Sequence, residues 1–137
     1  MASIFARFRR RASVITSADR ARDSGQMARA ARLYRKALRR TPEQPAIWVQ
    51  YGHVLKNVGD LAAAEAAYRR AIGHQPASYD AQLQLAHLLK SRGRNDAAEA
   101  AYLRSLALNQ DAPEPLTELA ALGWTERELA ELKRMVL

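Results

Sequence analysis

The chain has 137 residues, the size of one domain, and its 48% hydrophobic and 26% charged residues fall in the range of soluble globular proteins. It holds no cysteine, which excludes disulfides and thiolate metal sites, and no apolar run of about 18 residues that would span a bilayer. The net charge of +8 is uneven: residues 1–44 carry 12 Lys and Arg against 3 Asp and Glu, whereas residues 45–137 carry 10 against 11. A basic end of this kind points to a local contact or a solvated edge rather than to a globally basic protein. Abundant Ala and Leu, with few β-branched residues, favour helix throughout.

Residues 1–10 read as a basic extension, with Ile4, Phe5 and Phe8 beside Arg7, Arg9 and Arg10, and with no acidic residue before Asp19. Arginines break the apolar stretch too often for a secretory signal, which leaves a cytoplasmic location as the expectation. Three roles compete for this segment. It can extend a helix over the open side of the first helix pair, with solvated arginines. It can lie on an anionic membrane surface through residues 1–15 as a basic amphipathic helix. It can touch an acidic protein or nucleic acid. Nucleic acid is the least favoured, because the segment lacks the aromatic–basic interleaving of RNA platforms.

Beyond the extension the chain repeats with a step of 34: Gly25, Gly59 and Gly93; Ala30, Ala64 and Ala98; Tyr34, Tyr68 and Tyr102; Pro42 and Pro76; His53 and His87; Leu55 and Leu89. These define repeats at 11–44, 45–78 and 79–112, each reading as two helices. In the first, Val14, Ser17, Ala18 and Ala21 take the inward positions of helix A. They are small, so this helix is expected to pack loosely, while Ala30, Tyr34 and Ala37 serve helix B. In the second, helix A spans Ala46 to Asn57 with Trp48, Tyr51, Gly52 and Leu55 on one stripe. Gly59 ends it, Asp60 caps the next helix, and helix B runs to His74 before Pro76. Its inward face is Ala64, Ala67, Tyr68, Ala71 and Ile72. Gly52 and Ala86 facing Ala64 and Ala98 should let the paired helices approach closely, with Tyr68 and Tyr102 beside the contact. The third repeat departs at Gln82 (where Trp48 stands one repeat earlier), Ser105 and Gln110.

Residues 113–137 form a capping segment. A short helix from Pro113 to Leu122 carries Leu116, Leu119 and Ala120 as its stripe, and Gly123 breaks it. Thr125 and Glu128 make a capping box. Helix 126–136 is expected to turn Leu129, Leu132 and Met135 or Val136 inward and Glu126, Arg127, Glu131, Lys133 and Arg134 outward, with Trp124 closing the end of the core.

The set Trp48, Gly52, Gly59, Ala64, Tyr68, Ala71 and Pro76, with its partial copies in the other repeats, resembles the tetratricopeptide repeat (TPR) family. The resemblance implies an all-α, right-handed α-solenoid of antiparallel helix pairs, three TPR-like repeats and a C-terminal capping pair. One hairpin cannot bury its own apolar face, so stability comes from neighbour interfaces. The resemblance also implies a concave groove lined by the A helices. Its second positions are Ala12, Ala46 and Asp80; its fifth, Ile15, Val49 and Leu83; its ninth, Asp19, His53 and His87; its twelfth, Arg22, Lys56 and Lys90, with Asn57 and Ser91 following the lysines. These rows suggest an apolar rail and a basic rail, suited to an acidic or mixed peptide. Family members that clamp a C-terminal carboxylate carry a Lys–Asn and Asn–Lys–Arg set. Ile15 and Asp19 stand at the first two of those positions, so that clamp is not expected.

Three histidines, no glycine-rich phosphate loop and no serine with a histidine nearby argue against catalysis or a cofactor. His53 and His87 are equivalent, but equivalent points on neighbouring helices lie about 8–10 Å apart and no further ligand completes a set, so no metal is expected. The expected function is a non-catalytic protein–protein interaction scaffold that binds a protein or peptide segment in the groove. The alternatives are an accessory, substrate-recruiting module of a larger enzyme system, such as a glycosyltransferase, or a peripheral membrane adaptor through the basic N-terminus. Self-association through Ile4, Phe5, Phe8 and Ile15 stays open.

Overall fold

The computed structural model describes residues 3–136, without the side chains of Arg7, Phe8, Arg10, Arg11, Ala12 and Val136. Expectations placed on those six side chains lie outside the described residues. Among the described residues there are eight helices and no strand: α1 (Ile4–Asp23), α2 (Met27–Arg40), α3 (Pro45–Asn57), α4 (Leu61–His74), α5 (Tyr79–Ser91), α6 (Asn95–Leu108), α7 (Pro113–Ala121) and α8 (Glu126–Val136). None of them is long and apolar enough to cross a membrane. The chain divides into two compact units, Met1–Gln75 with α1–α4 and Pro76–Leu137 with α5–α8.

In the first unit, α1 starts where the Ser3 hydroxyl accepts from the Ala6 amide at 3.2 Å. It continues as one 20-residue helix through the basic segment and the first repeat's helix A. Gly25 and Gly59 end α1 and α3 with φ of 80° and 87°, values that an L side chain adopts only at a cost. Asp60 caps α4 by accepting from the Ala63 amide at 3.2 Å. Ala18 and Ala21 of α1 are buried with Ala30 and Tyr34 of α2 and Val54 of α3. Val14 and Ser17 stay half-buried. Among its described side chains, α1 therefore supplies two alanines to the core and no large residue.

Close packing of α3 on α4 depends on Gly52: a Cβ there would lie 2.5–2.9 Å from three ring atoms of Tyr68. The buried face of α3 is Val49, Gly52, Val54 and Leu55. Trp48 and Tyr51 belong to its margin, half-buried and stacked with ring centroids 6.1 Å apart. Trp48 is held there by its indole N–H, which donates to the Pro42 carbonyl at 2.7 Å, and by the Arg70 guanidinium 5.2 Å from its ring centroid.

In the second unit, Ser78 caps α5 by accepting from the Ala81 amide at 3.2 Å. Leu85, Ala86, Leu88 and Leu89 of α5 are buried, as are Ala98, Ala101, Tyr102 and Leu106 of α6. The two buried polar departures from the repeat carry their own hydrogen bond, as buried polar groups must. Buried Gln82 accepts from Arg104 Nε at 3.2 Å, and buried Ser105 donates to the Tyr102 carbonyl at 2.7 Å. Arg70 and Arg104 stand one repeat apart and reach equivalent positions, one over an indole and one onto an amide.

The C-terminal helices differ from expectation in detail. On α7 the buried residues are Pro115 and Leu119, four apart on one face, while Leu116 is half-buried and Ala120, about 100° further round, is exposed. On α8, Leu129 is buried and Leu132 lines a small cleft with Leu103, Leu106 and Ala107 of α6. Met135 is not inward: it is 84% exposed. Trp124 is half-buried.

The capping box forms. The Thr125 N–H and hydroxyl both donate to Glu128 Oε2 at 2.8 Å, and the Glu128 amide donates to Thr125 Oγ1 at 3.2 Å. The backbone bond first, and the hydroxyl second, hold the Glu128 carboxyl below its ordinary value of 4.5. A lowered folded value stabilises above the ordinary carboxylate range and is lost as pH falls through the folded value. The helical Cα chemical shifts of the first turn of α8 should therefore decay in acid, and Glu128→Gln should remove that dependence. Acid fraying that persists in Glu128→Gln would assign the effect to another group.

Candidate functional site

Tyr34, Tyr68 and Tyr102 are fully buried, one repeat apart, and each phenol meets a helix A residue fifteen positions earlier. The Tyr34 hydroxyl donates to Asp19 Oδ1 at 2.5 Å. His53 Nδ1 lies 2.8 Å from the Tyr68 hydroxyl, and His87 Nδ1 lies 2.8 Å from the Tyr102 hydroxyl, with both ring pairs edge-on. The ninth-position residue is thus the side chain that satisfies a buried phenol, a demand created by putting a tyrosine in the core. Burial pushes the Tyr34 and Tyr102 phenols above their ordinary value. The Asp19 hydrogen bond adds to this at Tyr34, and the charges of Glu118 and Glu114 add to it at Tyr102.

In the first unit, Asp19 and Arg22 of α1 meet Gln50 of α3 around the Tyr34 hydroxyl. Arg22 Nη1 donates to Gln50 Oε1 at 2.8 Å, to the Tyr34 oxygen at 3.0 Å and to Asp19 at 3.4 Å, while its Nε donates to Asp23 at 2.9 Å. Lys56 and Asn57 sit exposed at the end of α3, and Lys56 has no ion pair among the described residues. Ile15 is half-buried and Ala46 is exposed.

In the second unit, Lys90 of α5 pairs with Glu118 of α7, and His87 Nε2 lies 3.5 Å from Glu114. Asp80 accepts from Gln84 at 3.3 Å, and the Ser91 hydroxyl donates to the Leu88 carbonyl at 2.7 Å.

Both expected rails are corrected by this geometry. Val49 and Leu83 are only 5% exposed. Each lies three residues before Gly52 or Ala86 and so falls within the buried face of its helix, leaving little apolar rail to offer a ligand. In the first unit Arg22 is compensated by Asp19 and Asp23, which leaves Lys56 as the exposed cation there, and in the second unit Lys90 is compensated by Glu118. Among the described residues no cluster of three or more His, Asp or Glu side chains is arranged to hold a metal.

Antiparallel pairs of 13- and 14-residue helices, separated by positive-φ glycines and packed through a small residue against a buried tyrosine, define a helical-repeat protein of the tetratricopeptide class. Residues 16–132 match the model of the Cilia and flagella-associated protein 70 middle TPR-like domain, and the chain belongs to that family. Solved structures show the same fold at low identity. The first TPR of Spaghetti (RPAP3), bound to the HSP90 peptide SRMEEVD, is similar with a TM-score of 0.76 and 17% identity over 82% of this chain and 89% of its own. The type III secretion chaperone SycD of Yersinia enterocolitica, in complex with a peptide of the translocator YopD, is similar with a TM-score of 0.69 and 14% identity over 90% and 89%. No curated protein sequence matches.

Proposed function

We propose that the chain is a non-catalytic protein-interaction module that takes a polar, mixed-charge protein segment on its A-helix side chains. The observation that carries this reading is the repeated tyrosine anchor. Asp19 and His53 in the first unit and His87 in the second are each oriented by a buried phenol, so these side chains are ordered before a ligand arrives and lose little freedom on binding. The peptides held by Spaghetti and by SycD on the same fold support the class of partner. Lys56 is the exposed cation for an acidic group, while an acidic group reaching Lys90 has to exchange with Glu118.

The test is charge reversal. Lys56→Glu with Lys90→Glu should reduce capture of protein partners from native lysate by at least about tenfold, worth about 1.4 kcal/mol, at unchanged helical circular dichroism. Undiminished capture at low salt would remove the A-helix row from the binding site.

A further inference from the structure

Peptide binding on the A helices makes no use of a strongly charged face on α2. Helix α2 carries Arg29, Arg32, Arg35, Lys36, Arg39 and Arg40, all exposed, and no acidic residue. None of the six is ion-paired among the described residues. Arg32–Lys36, Arg35–Arg39 and Lys36–Arg40 are like charges four apart, which weaken a helix rather than support it. The helix holds because its other face buries Ala30, Tyr34, Ala37 and Leu38. Such a row gains by meeting a polyanion.

Two adjoining clefts give the row its shape. One, of about 420 Å³, is lined by Arg32, Arg35, Lys36, Arg39 and Arg40 alone. The other, of about 400 Å³, shares Arg35 and Arg39 and adds Arg70, Leu38 and Pro42 around the stacked Trp48 and Tyr51. An open face of α2 edged by cations therefore adjoins an aromatic cleft with arginines at its rim.

The chemistry of this pair discriminates among polyanions. An anionic bilayer rewards apolar side chains that enter it, yet the only exposed residue of α2 besides the cations is Ala28. A run of acidic residues would satisfy the charges but leave the aromatic cleft unused. Five of the six cations are arginines, whose planar forks suit phosphate oxygens, and successive ones along the helix stand about 5–6 Å apart at Cβ. A chain that alternates phosphates with planar rings fills both clefts. We infer that the α2 face, with the Trp48–Tyr51 cleft beside it, binds single-stranded nucleic acid. Aromatic–basic interleaving, absent from residues 1–15 as sequence, is assembled here by packing α3 against α2, with Arg70 of α4 at the edge of the cleft. The site shares no side chain with the A-helix row, so either reading can fail without the other.

The experiment uses the full chain with fluorescein-labelled oligo-dT and oligo-rU, read by anisotropy from about 50 to 300 mM salt, where each phosphate contact contributes about −0.7 to the logarithmic salt slope. Binding should weaken linearly on that plot. Arg32→Ser, Lys36→Ser and Arg40→Ser together should flatten the slope by about 2, for three lost contacts. In a Trp124→Phe background the remaining indole, Trp48, should be quenched by the oligonucleotide. These exposed substitutions leave the buried face of α2 intact, and unchanged circular dichroism verifies it. Two results overturn the inference: no anisotropy change at the lowest salt, or oligoglutamate or phosphatidylserine vesicles competing as well as oligo-dT with the same dependence on the triple substitution.

Discussion

Tyr34→Ala should lower the stability of the first unit by about 3–5 kcal/mol, the range for removing a large buried aromatic side chain. Tyr34 is fully enclosed, and it links α2 to Asp19 and Arg22 of α1 through one hydroxyl. Truncation opens a cavity and also strips Asp19 and Arg22 of their shared partner. Tyr34→Phe separates the two effects. It keeps the ring and loses only the hydroxyl's bonds, for about 1–2 kcal/mol, because Asp19 and Arg22 are partly exposed and water takes over some of the loss. Urea unfolding followed by circular dichroism measures both. A Tyr34→Ala cost no greater than that of Tyr34→Phe would mean that the ring is not part of the core.

The same substitution at three glycines should give three different results. Gly52→Ala places a Cβ 2.5 Å from a ring carbon of buried Tyr68, and overpacking of this kind costs about 1–3 kcal/mol despite the better helix propensity of alanine. Gly59→Ala meets nothing within 4 Å but sits at φ +87°, so it costs about 1–2 kcal/mol through the backbone alone. Gly73→Ala meets nothing within 4 Å and lies within α4 without a positive φ, so it should stabilise by about 0.5–1 kcal/mol. Chemical denaturation of the three variants ranks them. A stabilising Gly52→Ala would show that α3 and α4 do not approach as closely as the tyrosine contact requires.

The helices were legible in the sequence because their signals are local. The 34-residue step, Gly59, Asp60 and the Thr125–Glu128 box place α3, α4 and α8 to within a residue or so. The unbroken α1 was also legible, since no glycine or proline occurs in residues 1–24, but dividing the chain at the repeat boundary hid it. The site was much less legible. Equal spacing showed that Asp19, His53 and His87 are equivalent, yet not that a tyrosine hydroxyl fifteen residues on would engage each of them. Arg22–Gln50 and Lys90–Glu118 both span 28 residues and join helices of neighbouring hairpins, so a pattern read within one hairpin cannot contain them. Val49 and Leu83 were assigned to the groove through the family resemblance, by repeat position alone, and a position number does not carry the burial that places both within the core.

Whether the A-helix row is the working face is tested most directly by photo-crosslinking in native lysate, with a photoreactive amino acid at position 56 on α3 or at position 66 on α4. Both positions are exposed, so access does not distinguish them. Protein adducts are expected through position 56, and none above background through position 66. Adducts formed equally from both, or through position 66 alone, would contradict an A-helix binding face.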